Sequence, residues 1–238
     1  MAAELHSERA GDVLVLTIDN PAKRNALDVG LCAALAAALA APGDARAVVL
    51  TGAGDKAFSA GFDLAALDQP ERAESAFRGL IDAVAASKLP IVCALNGGAF
   101  GGGCELAATC DLRVGHVGVK LGLPPAKLGI VYAERGLARF AALVGESRAR
   151  QLFLAARTLD AATALAWGLL DEIAEDSRAR ARAWAAEIAT LAPLAVQGMR
   201  RAFELLLARR AALEPADSAE LAALRGAAWL ARQKMTSP

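Results

Sequence analysis

Apolar positions along this chain follow two rhythms. In the first half they form short unbroken runs, Val13 to Ile18, Ala47 to Thr51 and Ile91 to Leu95. Runs of this length, bounded by Asn, Pro or Gly, predict strands buried on both faces. Between them Leu27, Leu31, Leu35 and Leu39 recur every fourth residue, predicting a helix over 26–41 that Pro42-Gly43 ends. Further helices are predicted over about 69–87 and over 101–109, and further strands over 111–114 and 117–121. From Ala133 onward the helical period dominates. Its short helices break near Gly145, Thr158 and Gly168, and two or three longer ones run from Ser177 to Lys234. Strands alternating with helices, then helices alone, predict an α/β fold with a helical C-terminal part, divided here as 1–176 and 177–238.

Composition refines this picture. The 238 residues suffice for a sizeable core without staples, and hydrophobic residues at 55% with aromatics at only 5% make that core mainly Ala, Leu and Val. Cys32, Cys93, Cys104 and Cys110 form no C-x-x-C pair and sit in apolar surroundings, which predicts buried thiols in a reducing compartment. The polar start around Glu4, His6, Glu8 and Arg9 does not read as a signal peptide, and no apolar stretch is long enough to span a bilayer. A cytoplasmic protein without membrane contact is expected. Lys+Arg and Asp+Glu balance at 26 each, so the basic excess of a nucleic-acid binder is missing.

Candidate chemistry concentrates at two junctions, Thr51 to Leu64 and Leu95 to Glu105. Each ends a buried strand, passes through glycines and leads into a helix. Three consecutive glycines, Gly101 to Gly103, oppose helix propensity, and glycines at a helix start admit a close approach to the backbone. Amides there have no intrahelical acceptor and can donate to an anionic oxygen. Two converging donors would make an oxyanion hole, although each loop alone reads better as a packing turn. His6 and His116 form no triad or metal set, no G-x-S-x-G elbow is present, and the glycine run lacks a Gly-Lys-Ser/Thr ending.

Taken together, the segments carry a resemblance. They are Asn20-Pro21-x-x-Arg24-Asn25-Ala26-Leu27, Phe58-Ser59-Ala60-Gly61-Phe62-Asp63-Leu64 and Asn96-Gly97-Gly98-Ala99-Phe100-Gly101-Gly102-Gly103-Cys104-Glu105-Leu106. Cys110-Asp111, Leu128-Gly129-Ile130 and Ala166-Trp167-Gly168-Leu169-Leu170 with an adjoining acid follow. In order and spacing these resemble the crotonase superfamily, the enoyl-CoA hydratase/isomerase group, over roughly residues 10 to 175.

The resemblance implies a crotonase-like ββα superhelix whose helical C-terminal region builds a homotrimer or a dimer of trimers. It implies an acyl-coenzyme A thioester as substrate, with coenzyme A as part of that substrate and no metal or redox cofactor. By family position, the amides of Phe62 and Gly102 hold the thioester oxygen, and Glu105 is an acid/base. Lys23 and Arg24 lie along the coenzyme A moiety, with Ala60, Asp63 and Leu64 in the adjoining substrate-binding segment. Hydratases place a second glutamate where this chain has Pro125, which has no proton to give. Isomerisation or decarboxylation therefore fits better than hydration. Tyr132, the only tyrosine, resembles the functional tyrosine of members that decarboxylate malonyl-type thioesters, and is equally readable as a packing residue. Glu134 is a further candidate substitute, expected to face solvent. Asp111 is expected to pair with backbone or Arg113. A degenerate acyl-CoA-binding homologue remains the alternative to an enzyme.

Overall fold

The computed structural model describes residues 3–63, 70–213 and 215–236. The recurring unit is strand, strand, helix. β3 (Ala47–Gly52), β4 (Ala57–Ser59) and α2 (Pro70–Ala86) form one turn. The next is β5 (Ile91–Leu95), β6 (Gly98–Phe100) and α3 (Gly102–Thr109). A third is β7 (Leu112–His116), β8 (Lys120–Gly122) and α4 (Glu134–Val144). The first strands of these turns lie parallel in one sheet and the second strands lie parallel in another. This is the crotonase-like superhelix.

The larger sheet is completed by β1 (Glu4–Ala10), β2 (Val13–Asp19) and β10 (Glu172–Ala174), in the order β1-β2-β3-β5-β7-β10. The smaller sheet runs β4-β6-β8-β9, with β9 spanning Thr158–Asp160. Strand residues alternate between two cores. Leu14, Leu16, Val48, Leu50 and Cys93 face the main core with Leu31, Leu35 and Phe58. Val13, Val15, Val49, Val92 and Val114 face the opposite side, against Ala181, Ala185 and Ala189 of α7 (Ser177–Ala189), which follows the short helices α5 (Glu146–Phe153) and α6 (Ala161–Trp167). Alanine every fourth residue lets this helix lie close on the sheet, which explains the unbroken apolar runs of the strands.

Several elements depart from the expected ones. β1 is absent from the sequence reading because it is polar and exposed. It is an edge strand paired antiparallel to β2, so its faces need no burial. β4 and β6 are three residues long and lie within the glycine-bearing segments, where only pairing with distant strands defines them. The first helix, α1, spans Val29–Ala40 and not 26–41. Asp28 caps it, accepting from the Leu31 amide at 2.8 Å, and Leu27 forms a β-bridge to Phe62 instead. The strand expected over 117–121 shifts to Lys120–Gly122, because a turn at 117–118 closes on the His116 ring. All four cysteines are free and buried. No helix among the described residues is long and apolar enough to cross a membrane.

Candidate active site

The two glycine junctions are braced by two buried asparagines. Asn25 holds a left-handed conformation (φ 58°) and donates through Nδ2 to the carbonyls of Ala53 and Ala57. Asn96 accepts through Oδ1 from the Gly52 amide and donates to the carbonyls of Gly54 and Ala57. The two side chains thus satisfy the Gly52 amide and the carbonyls of Ala53, Gly54 and Ala57, which holds the loop that leads into the Gly61-Phe62 segment. Both asparagines stand in the motif segments, but the bracing role depends on contacts no local pattern reveals.

The segment carrying Phe62 is extended and bonded on one edge. Leu27 donates to the Gly61 carbonyl at 2.8 Å, and Asp63 donates to the Leu27 carbonyl at 2.7 Å. Alternate amides of an extended segment point to opposite edges, so the Phe62 amide turns away from Leu27 and toward α3. A Cβ at Gly61, which has φ 98°, would lie 3.2 Å from the Gly102 nitrogen and 2.7 Å from the Phe100 carbonyl oxygen. A Cβ at Gly102 would lie 3.4 Å from the Phe62 nitrogen. Gly102 is the first residue of α3 after the N-cap Gly101, so its amide has no acceptor within the helix. Two backbone donors therefore lie side by side, and glycine is required at 61 by both conformation and space.

Glu105 lies in the first turn of α3. Its Oε1 is 2.9 Å from where a Cβ of Gly136 on α4 would stand, and Tyr132 Cδ1 is 3.4 Å from that same point. The missing side chain at 136 admits both groups. Burial pushes the Glu105 carboxyl up to about 7, and the charge of Arg139 pulls in the opposite direction. Tyr132 is raised above its ordinary value by burial first, then by Glu105 and Cys104. Its ring meets Phe153 edge-on at 5.0 Å, and Phe153 meets Phe140 at 5.3 Å. Tyr132 is thus both a packing residue and a neighbour of the carboxyl. Phe77 on α2 walls the other side, edge-on to Phe62 at 6.1 Å and 3.0 Å from the Cβ position of Gly102. No sequence signal singled out Gly136 or Arg139.

The remaining candidates divide. Lys23 engages Asp63 at 2.5 Å, and Ala60 donates its amide to the Arg24 carbonyl, so the first loop is clasped to the Phe62 segment. The Lys23 and Arg24 side chains stay exposed or half-exposed at the mouth of this clasp. Leu64 lies outside the described residues. Pro125 is buried and its carbonyl accepts from the amides of Leu128 and Ile130, closing a 3-10 turn. Glu134, expected to face solvent, is half-exposed. It pairs with Arg225 at 2.8 Å on α9 (Pro215–Thr236) and is held below its ordinary value by a backbone hydrogen bond and by Arg225. Asp111 pairs with Arg200 at 2.8 Å and accepts from the Ile91 amide, whereas Arg113 pairs with Asp171. Asp111 is therefore an anchor for the helix α8 (Pro193–Ala211), through a residue too distant in sequence to predict. No group of three or more His, Cys, Asp or Glu side chains among the described residues is placed to hold a metal ion.

Comparison with known proteins gives a consistent result. Residues 8–221 match the enoyl-CoA hydratase/isomerase family. The chain is 42% identical over 199 residues to a probable enoyl-CoA hydratase, echA6, of Mycobacterium bovis, covering 81% of this chain and 79% of that protein. It is 34% identical over 213 residues to a carnitinyl-CoA dehydratase of Salmonella typhi, covering 85% and 81%. Among solved structures, an enoyl-CoA hydratase/isomerase of Mycobacterium paratuberculosis superposes with TM-score 0.83 at 28% identity, covering 100% of this chain and 95% of that one. DspI of Pseudomonas aeruginosa superposes with TM-score 0.78 at 30% identity, covering 82% and 78%.

Proposed function

This chain belongs to the enoyl-CoA hydratase/isomerase family, and from that premise we propose that it moves a double bond within an acyl-CoA thioester by way of an enolate. The Phe62 and Gly102 amides donate to the thioester oxygen as negative charge develops there. Donors of this kind are fixed before the reaction begins, and each contributes on the order of 3 kcal/mol to the transition state. Glu105 removes a proton from the α-carbon of a 3-enoyl thioester, and the C3–C4 double bond remains conjugated with the enolate. The protonated carboxyl then returns a proton at the γ-carbon as the α,β double bond forms. One carboxyl serves both steps, so the missing acid at Pro125 is not needed.

The observation that carries this reading is the close approach of the Phe62 and Gly102 amides, with a carboxyl raised to about 7 in the same helical turn as Gly102. Near neutrality such a group is divided between base and acid forms, which suits a proton that leaves and returns. Lys23 and Arg24, with Ala60 and Asp63, form the clasped edge along which the coenzyme A moiety would run. Hydration would require a second group to position water, and Glu134, the nearest candidate in sequence, is already engaged by Arg225.

A second reading rests on Tyr132, whose ring shares the Gly136 contact with Glu105. Loss of carbon dioxide from a malonyl-type thioester generates the enolate without a base, and Tyr132 would assist there. Incubation with a 3-enoyl-CoA, crotonyl-CoA and methylmalonyl-CoA separates the chemistries. Conversion of the 3-enoyl thioester to its conjugated isomer is the expected result. Faster hydration of crotonyl-CoA would overturn it, methylmalonyl-CoA turnover would favour Tyr132, and binding without turnover would identify a degenerate acyl-CoA binder.

A further inference from the structure

Behind Glu105 lies a buried charge system that the reaction as written does not use. Helix α4 presents Gly136 to the Glu105 carboxyl, and Arg139 follows three residues later on the same face. Arg139 is buried, and its two terminal nitrogens reach the two carboxylate oxygens of Glu204 at 3.0 and 3.1 Å. Glu204 lies on α8 and also receives Arg135 at 3.0 Å, which in turn holds Asp82 of α2 at 2.9 Å. A buried bidentate pair of this kind gains little over apolar residues in its place, since its desolvation offsets most of its attraction, although removing one partner alone is costly.

We propose that Glu204, acting through Arg139, sets the proton affinity of Glu105, so that a helix of the C-terminal region tunes the proton-transfer group. The inference rests on Glu105 being that group, as argued above. The charge of Arg139 favours ionised Glu105, and Glu204, bonded to both terminal nitrogens of that guanidinium, offsets it. Glu204 and Arg139 are positioning residues, since neither is placed against the reacting atoms. Burial opposes ionisation of Glu204, but the hydrogen bonds from Arg139 and Arg135 hold it below its ordinary value, so its negative charge persists where Glu105 titrates.

The other groups around Glu105 do not duplicate this role. On its own helix stands Cys104, kept protonated by burial. Tyr132, ahead of α4, is likewise protonated. On α4, Glu134 is taken by Arg225, and Arg135 is shared between Asp82 and Glu204. α2 carries Glu71, Arg72, Glu74, Arg78 and Asp82, of which Arg78 is paired with Glu74. β4 and β6 contribute no ionisable side chain.

The test is a carboxyl titration by NMR of the full chain labelled at glutamate side-chain carbons, with the Glu105 signal assigned by its loss in Glu105→Gln. This readout does not require the reaction to be the one proposed, so a wrong reaction and a wrong tuning pair give different failures. In Glu204→Gln the Glu105 midpoint should fall by about one pH unit, because Arg139 is no longer screened. In Arg139→Gln it should rise by a similar amount. Glu204→Asp keeps the charge and should restore a midpoint near that of the unmodified chain, which a merely structural role would not do. An unchanged midpoint in either folded glutamine variant, or the same shift in Glu204→Asp as in Glu204→Gln, would overturn the proposal. Collapse of both glutamine variants would also overturn it, by showing a pair that serves stability alone.

Discussion

At Glu105 burial and the charge of Arg139 act in opposite directions on one carboxyl, and burial prevails, leaving it at about 7. If Glu105 is the base that starts isomerisation, kcat/KM should rise with pH through about 7 and level off above it. If it supplies a proton after decarboxylation, the same profile should fall above that value. A pH-rate profile on the productive thioester distinguishes the two, and Glu105→Gln should lower turnover by roughly 10²- to 10⁴-fold with substrate binding retained. Folding carries a matching signature. The folded carboxyl binds its proton more tightly than the unfolded one at 4.5, so its contribution to stability is complete below about 4.5 and is lost as pH rises through about 7. Glu105→Gln should therefore gain stability relative to the unmodified chain between about pH 5 and pH 8. The gain should approach on the order of 3 kcal/mol, measured by denaturant unfolding.

Among the elements, α3 and α4 meet only because glycine stands at the contact. A Cβ at Gly136 would lie 2.9 Å from Glu105 Oε1, the end of a side chain that can swing aside, so Gly136→Ala should fold. It should displace the carboxyl and lower turnover at least about tenfold, with little change in melting temperature. Gly103 is a different case, since a Cβ there would meet the Ser59 carbonyl oxygen at 2.5 Å, and backbone cannot swing aside. The three glycines of α3 thus serve separate ends: Gly101 turns the chain at φ 51°, Gly102 offers its amide, and Gly103 admits β4. The run was legible in the sequence as a close approach to backbone. Which neighbour approaches which glycine was not, because Ser59, Phe62 and Phe77 come to α3 from distant parts of the chain.

On the scale of the whole molecule, α8 and α9 leave much apolar surface uncovered. Leu194 is 82% exposed and Phe203 72%, and Met199, Phe203 and Leu206 recur at helical spacing on one side of α8. A contiguous apolar stripe of this kind is seldom left to solvent. The chain should therefore self-associate, sedimenting well above its 24.4 kDa mass. Phe203→Glu should shift the distribution toward the monomer without disturbing Glu204, which faces inward. A homotrimer is the state expected from the family, and sedimentation equilibrium gives its stoichiometry.

What the sequence determined by itself was the order of the buried strands and the main helices, and which residues stand at the family's motif positions. Apolar runs define strands because both sheet faces are buried, and glycine in place of a side chain marks close backbone approach wherever it lies. Phe62, Gly102 and Glu105 were picked out by their match to the family's motif positions, and Pro125 as the residue standing where that resemblance places a second acid. Tertiary structure alone decided what those groups experience. Burial raised Glu105, α9 paired Glu134 with Arg225, and α8 brought Glu204 onto Arg139. The physical reason is common to all three. A carboxyl's proton affinity depends on the dielectric and the charges within a few ångströms, and folding supplies those from residues 30 to 100 positions distant.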